Sequence, residues 1–402
     1  MVRKLVLLAG ATLLAIAPLS AEKFRFAYAK GEKYRFLSTV IEKVFRNGRF
    51  VNSAEILNKA TAEVTDIRGE SGYLRMVFET SSRGTGEVGT YAFEEEYLSE
   101  FWRDAHGVFT IDDSYFMPVV RSVPTFPDGD IAVGQTWTAP GSEAQDFRRN
   151  FEIDSAFHYP ITVSYTYLRN ELKNGVDCAV IGITYTVFYK VPTPSRITAS
   201  YPVRITASSD QIFWWDRTNK RPYVYEEKFD FIFTQAGGDE IEFTGEAWSE
   251  VIQAQPLDRE KVARDIQNEI QKQKIPDASV RADAQGVTIT IENINFAPNS
   301  GVLLPAEKEK LARIAELLKS YPDRDLLITG HTAAVAGYTA EQHQALSEER
   351  AKAVGDYLLS IGARKSENMT VKGMGNRAPI ADNSTEAGRM KNRRVEITIL
   401  EN

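Results

Sequence analysis

Period-two alternation of apolar and polar residues runs through most of the chain up to about residue 250. Ile197, Ala199, Tyr201, Val203, Ile205 and Ala207 alternate with Thr198, Ser200, Pro202, Arg204 and Thr206. Ile183, Tyr185, Val187 and Tyr189 share one parity, and Phe229, Phe231 and Phe233 flank polar neighbours such as Asp230. This pattern predicts strands with one buried face. Turn signals at Asn174-Gly175, Asp216–Lys220 and Gly237-Gly238-Asp239 separate them. Residues 22–250 therefore read as antiparallel β structure, either a sandwich or a curved sheet. Pro118, Pro124, Pro127 and Pro140 interrupt it, because proline cannot donate to a sheet ladder. The expected division is one β module over 22–125 and a second over 126–254, or one large curved sheet with a Pro-rich crossing.

After Gln255-Pro256 the period changes. Asp258 reads as an N-cap, and Val262, Ile266 and Ile270 share a face, which predicts a helical connector over 255–275 that packs against a neighbouring domain and stops at Pro276. Residues 276–402 then alternate between the two periods. Val287–Asn293 predicts a strand continuing to Phe296. Pro305 opens a helix with Leu311, Ile314, Ala315 and Leu318 inward. Leu326–Thr329 is a buried strand, and Thr339–Ser360 a long helix that Gly362 stops. Met369–Gly373 and Val395–Leu400 are strands, with a short helix over Thr385–Asn392. The order β-α-β-α-β-α-β implies a mixed sheet with helices on one side.

Composition narrows the class. The 402 residues are 43% hydrophobic and 26% charged, which supports more than one packed core rather than a disordered chain. A net charge of −7 offers no basic footprint for nucleic acid. Arg3 and Lys4, an apolar run over Leu5–Ala17 and Pro18-Leu19-Ser20-Ala21 read as a secretory signal peptide over 1–21. A signal peptide with long alternating strands also suits an outer-membrane barrel, but Glu94-Glu95-Glu96 and charges of both parities over Lys59–Arg68 argue against a lipid-facing surface.

Chemistry is sparse in the β region. Cys178 is single and reads as a small buried hydrophobe. His106 and His158 are isolated, and Glu226-Glu227 and Asp112-Asp113 would point to opposite faces of a strand. Trp214-Trp215 before a turn reads as packing at a sheet end rather than a sugar platform. No nucleophile–base pair and no metal-ligand spacing appears; His331 and His343 lack a third ligand. The expectation is no enzyme, no cofactor and no metal.

The C-terminal pattern is more specific. Gly330-His331-Thr332 and Leu346-Ser347-x-x-Arg350-Ala351 precede Gly373-x-Gly375-x-x-x-Pro379. Then come Asn383-x-Thr385-x-x-Gly388-Arg389 and Asn392-Arg393-Arg394-Val395-Glu396-Ile397. Residues of about 275–402 thereby resemble the OmpA-like peptidoglycan-associated domain found in OmpA, Pal and MotB. The resemblance implies a ligand, the free end of a diaminopimelate stem, with one ammonium and one carboxylate. An acid would take the first and an Arg the second, since a guanidinium grips a carboxylate with two parallel hydrogen bonds. It implies Arg350, Thr332, His343 and Asn299 as stem-peptide contacts. The family's acidic position is Ala333 here, and the family's Asn is His343; the intervening loop is two residues longer than usual. Arg393 and Arg394, before the last strand, read as fold-holding. Glu341, Glu348 and Asp382 are candidates to replace the acid.

Two readings follow. One is a periplasmic envelope protein, exported and associated with cell wall or outer membrane. Its C-terminal domain tethers it to peptidoglycan with weakened or altered specificity, and its β region meets other envelope proteins. The other is a structural or protein-interaction envelope protein whose OmpA-like domain has kept the fold and lost the ligand.

Overall fold

A computed structural model describes residues 21–253, 256–297, 300–335 and 337–401. The leader expected over 1–21 falls, apart from Ala21, outside them, as does Asn299.

The first part is β1 (Lys33–Arg46), β2 (Arg49–Arg68), β3 (Ser71–Gly84), β4 (Tyr91–Arg103), β5 (Phe109–Ile111), β6 (Val120–Arg121), β7 (Thr136–Gln145), β8 (Phe157–Lys173), β9 (Val176–Lys190), β10 (Pro202–Asp216), β11 (Arg221–Gln235) and β12 (Glu240–Gln253). Long strands joined by tight turns pair with their sequence neighbours. β12 returns to pair antiparallel with β1, so β7 to β12 and β1 to β4 form one antiparallel meander. The sheet curls. Tyr97 on β4 donates to Asp146 Oδ2, just beyond β7, at 2.8 Å. Ser99 Oγ donates to the Met117 carbonyl at 2.6 Å. The two edges thus approach across the Pro-rich crossing.

The inward parity is mostly apolar and the outward parity mostly polar or charged. Tyr159, Ile161, Val163, Tyr165 and Tyr167 of β8 are buried with Ile181, Ile183, Tyr185 and Val187 of β9. Outward, β12 carries Glu242, Glu246 and Glu250 and β11 carries Glu226 and Lys228. That polarity is the inverse of a lipid-facing barrel, whose outer band must be apolar. Among the described residues no helix is long and apolar enough to cross a membrane. Phe24, Phe26 and Phe126 plug the curl. Their rings meet Trp215 at 6.5, 4.8 and 4.9 Å, in edge-to-face contact. Trp214 lies on the opposite face of the same strand, against Cys178 and Val180. Neither Trp is a sugar platform, and burial pushes the Cys178 thiol up to about 11, as expected of an inert core residue.

One predicted stretch differs. Alternation from Ile197 to Tyr201 does not extend β10. Pro192, Pro194 and Pro202 bracket it, and proline has no N–H to offer a ladder. The residues turn instead, with the Tyr201 N–H donating to the Thr198 carbonyl at 3.2 Å.

The second part is α1 (Arg259–Lys272), β13 (Ala278–Ala282), β14 (Gly286–Ile291), α2 (Pro305–Leu318), β15 (Leu326–Gly330), α3 (Ala340–Ser360), β16 (Met369–Gly373), α4 (Glu386–Asn392) and β17 (Val395–Leu400). The strand order is β13-β14-β17-β15-β16, with only β15 and β16 parallel. Asp258 caps α1 through Lys261 N–H, as its position predicts. Val262, Ile266 and Ile270 join Leu311, Ile314 and Val354 over Val287, Ile289, Ile397 and Ile399 in one core. The opposite face of the sheet presents Thr288, Thr290, Glu396 and Thr398, so these helices share one side. β14 ends at Ile291 rather than continuing to Phe296, and β13 pairs beside it at the sheet edge. The break follows from Asn293, held at φ 49°, which strand geometry excludes.

The two parts share a sheet. Tyr91 and Ala92 at the start of β4 pair in parallel with Thr370 and Val371 of β16. Thr90 donates through N and Oγ1 to Asp356 Oδ1 on α3, each at 3.0 Å. Asp325, before β15, is buried between Arg35 Nη2 at 2.7 Å and Lys59 Nζ at 3.0 Å, with Asn368 Nδ2 at 2.7 Å. Burial alone would raise this carboxyl. The charges of Lys59 and Arg35 outweigh burial and hold it at about 2. A depressed carboxyl contributes stability that is complete above its unfolded value of about 3.9 and disappears as pH falls through the folded value. Urea midpoints are therefore expected to fall between pH ~4 and ~2. Asp325→Asn should show a smaller drop over that window; an equal drop would remove Asp325 as its source.

Candidate functional site

The matched motifs fold into one corner, where the end of β15 meets α3. Gly330 permits it: a Cβ there would stand 2.1 Å from the Ser347 carbonyl. The Ser347 hydroxyl accepts from the Gly375 N–H at 2.8 Å, which binds α3 to the turn after β16. The loop after β15 is anchored on the other side. Asn392 Oδ1 accepts from the Ile380 and Ala381 N–H groups at 2.8 and 3.0 Å, and its Nδ2 donates to Asn383 Oδ1 at 2.9 Å. Asn383 Oδ1 also accepts the Ala334 N–H at 3.1 Å. The Gly-x-Gly, Asn-x-Thr and Asn-Arg-Arg motifs are thus a scaffold. They hold the loop that carries Thr332 and Ala333 against the helix that carries His343 and Arg350.

α3 starts with a capping box: the Thr339 N–H donates to Gln342 Oε1, and the Gln342 N–H donates to Thr339 Oγ1. His343 and Ser347 face inward one turn apart, and Arg350 follows on the same side. Thr332 Oγ1 and His343 Nδ1 lie 3.0 Å apart, both buried. The side chain of Tyr338 stacks obliquely on His343 with centroids 5.4 Å apart. The structure brings Thr332 and His343 together. Arg350 is seven residues further along the helix, about 10 Å along its axis. Ala333 is buried and presents only a methyl group.

Arg350 is half-buried with its guanidinium 4.9 Å above the Phe296 ring. Its Nε is sealed from solvent without a hydrogen-bond partner. Among the described residues it forms no ion pair; neighbouring Glu349 instead accepts the Gly301 N–H at 2.8 Å. Burial pushes the Arg350 pKa down, and the nearby Arg393 charge pushes it the same way. Arg393 itself pairs with Glu386 at 2.7 Å. None of the three candidate acids meets the guanidinium. Glu348 accepts from Gln344 Nε2, Asp382 bonds Ser384, and Glu341 sits exposed in the first turn of α3. The corner is therefore a cationic spot backed by an aromatic ring. It can receive an oxyanion, and none of these three acids stands ready beside it for an ammonium.

Phe296 is the contact that sequence reasoning missed; it was legible only as the end of a strand. Arg394 is fold-holding, with its Nε 2.8 Å from Glu396 Oε1. His331 lies buried beside that pair. Burial, then the Arg394 charge, lowers its pKa to about 4, so the ring is neutral at pH 7. Among the described residues no cluster of three or more His, Cys, Asp or Glu groups could hold a metal. His106 Nδ1 and His158 Nε2 each lie against a backbone carbonyl, of Phe126 and Asp113.

Comparison with known proteins places this corner in a family. Residues 295–393 match the OmpA family and form an OmpA-like domain behind the β region. The peptidoglycan-binding protein ArfA of Mycobacterium tuberculosis H37Rv is 40% identical over 120 residues, 29% of this chain and 36% of that protein. The probable lipoprotein YiaD of Escherichia coli K12 is 33% identical over 138 residues, 34% of this chain and 62% of that one. The chain thus spans between about a third and under two thirds of these curated relatives' lengths. A solved outer membrane protein from Borrelia burgdorferi B31 is 35% identical, matches 31% of this chain and 96% of its own, and superposes with a TM-score of 0.26.

Proposed function

We propose that this is a non-enzymatic protein of the cell envelope, exported to the periplasm, whose OmpA-like domain tethers it to peptidoglycan through Arg350. The observation that supports the reading is the Arg350 guanidinium, half-buried on Phe296, its Nε without a hydrogen-bond partner and, among the described residues, without an ion pair. The similarity to a mycobacterial peptidoglycan-binding protein supports the ligand class. Arg350 takes a carboxylate of the stem peptide, and Thr332 and His343 shape the wall beside it. With Ala333 in the acidic position, an ammonium on the ligand stays unpaired, so the grip is on the anionic end alone. Sedimentation of the full chain with purified sacculi tests the reading. Wild type should co-sediment and Arg350→Ala should not. Failure of wild type to sediment would leave the domain as a protein-interaction module with a borrowed fold.

The acid can be restored. A charge-assisted hydrogen bond contributes about 1.5–3 kcal/mol, roughly one to two decades in affinity. Ala333→Asp is expected to tighten binding to diaminopimelate-type sacculi by at least about tenfold. An unchanged sedimentation curve would mean that the lengthened loop holds position 333 away from the ligand.

A further inference from the structure

The inner side of the curled sheet carries a half-open pocket. That inner face and the crossing segment wall a cavity of about 310 Å³. Phe36, Met76, Phe78 and Phe213 are among its apolar lining, and Arg103 and Glu227 line it as well. That mixture, mostly apolar with a few convergent polar groups, is how small-ligand sites are built.

Arg103 is the unusual member. It is 7% exposed. Its Nε donates to Tyr28 Oη at 2.9 Å and its Nη2 to Tyr34 Oη at 3.2 Å. The Phe26 ring lies 4.1 Å from its Cζ. No carboxylate pairs with it among the described residues. The adjacent Asp104 is committed elsewhere, since its Oδ1 accepts from the His106 and Val108 N–H groups, each at 2.9 Å. Glu227 is held by Ser209 Oγ at 2.6 Å and Gln211 Nε2 at 3.1 Å, and burial raises its pKa toward the neutral acid. A guanidinium this deep is ordinarily matched by an anion. The cavity supplies room for one, and its apolar walls call for a hydrocarbon behind it.

We propose that this cavity binds a single-chain amphiphile with an oxyanion head, its chain against Phe36, Met76, Phe78 and Phe213 and its head on Arg103. A fatty carboxylate and a lipid-type phosphate share that chemistry.

The test is calorimetric titration of the full chain with dodecanoate, dodecyl phosphate, dodecyltrimethylammonium and dodecanol, each below its micelle concentration. Both anions are expected to bind one per chain and at least about tenfold tighter than the cation or the alcohol. The tighter of the two anions identifies the head group. Cation or alcohol binding as tightly as the anions, or no anion binding, overturns the proposal. Arg103→Gln should weaken dodecanoate at least about tenfold while leaving dodecanol unchanged. Should that variant fail to fold, Ala60→Phe decides: it fills the cavity while keeping Arg103 and its tyrosines, so dodecanoate must be lost. Retained dodecanoate binding in Ala60→Phe overturns the assignment.

Discussion

Replacing Asp325 by alanine is expected to lower the unfolding free energy by about 3–5 kcal/mol, the usual loss when one partner of a buried ion cluster is removed. Arg35 and Lys59 stand on β1 and β2, on the outward face of the curled sheet, and are 5% and 6% exposed. Asp325 reaches them from the OmpA-like domain and is 1% exposed. Removing it takes the nearest carboxylate from two buried cations and leaves Glu79, whose charge also interacts with Lys59 and Arg35, as an acid beside them. The loss therefore belongs to the under-compensated buried charges more than to the lost bonds. A triple variant, Arg35→Met with Lys59→Met and Asp325→Leu, should recover most of the stability, since apolar residues of similar volume can replace such a cluster. Urea unfolding measures both. A loss below about 1 kcal/mol for Asp325→Ala would show that the junction opens to solvent and that the domains are joined chiefly through β4 and β16.

Local structure was legible wherever one segment fixes its own period. The connector helix could be read from Asp258 and the Val262, Ile266, Ile270 stripe, and α3 from Thr339 to Gly362. The strand faces were legible too, because period two needs no partner to be seen. Strand order was not. β1 and β12 pair Tyr34 with Gln253 across most of the β region, and nothing local marks that closure. β13 was missed because five residues at a sheet edge, Ala278–Ala282, carry too little apolar pattern. The junction was illegible for the same reason as the closure. Asp325 lies 290 residues from Arg35 and 266 from Lys59. Lys59 looked like a charge spoiling a lipid face, whereas it faces a carboxylate of the other domain. At the candidate site, the motif pointed to Arg350, but its seat on Phe296 is a tertiary contact that no local pattern marks, since Phe296 lies beyond the end of β14 and before the segment that leads to α2.

Arg350→Ala is expected to reduce affinity for sacculi by about 10- to 100-fold, because a charge-assisted contact is worth roughly 1.5–3 kcal/mol. Arg350→Lys should fall between, since an ammonium keeps the charge and loses the two-pronged geometry. Binding alone cannot separate a ligand residue from a scaffold residue whose removal distorts the corner. Stability can. A scaffold arginine satisfies internal acceptors, and its loss destabilises. Arg350 carries a sealed Nε with no partner and a neighbouring like charge on Arg393, so the free protein already bears an uncompensated cost. Arg350→Met keeps the apolar stem over Phe296 and removes that cost. It should leave the unfolding free energy unchanged or raise it by about 1 kcal/mol while binding is lost. A drop of more than about 1 kcal/mol would assign Arg350 to the fold and withdraw it from the ligand. The opposed directions follow from one physical fact: a half-buried guanidinium that forms no ion pair among the described residues is a poor structural element and a good receptor.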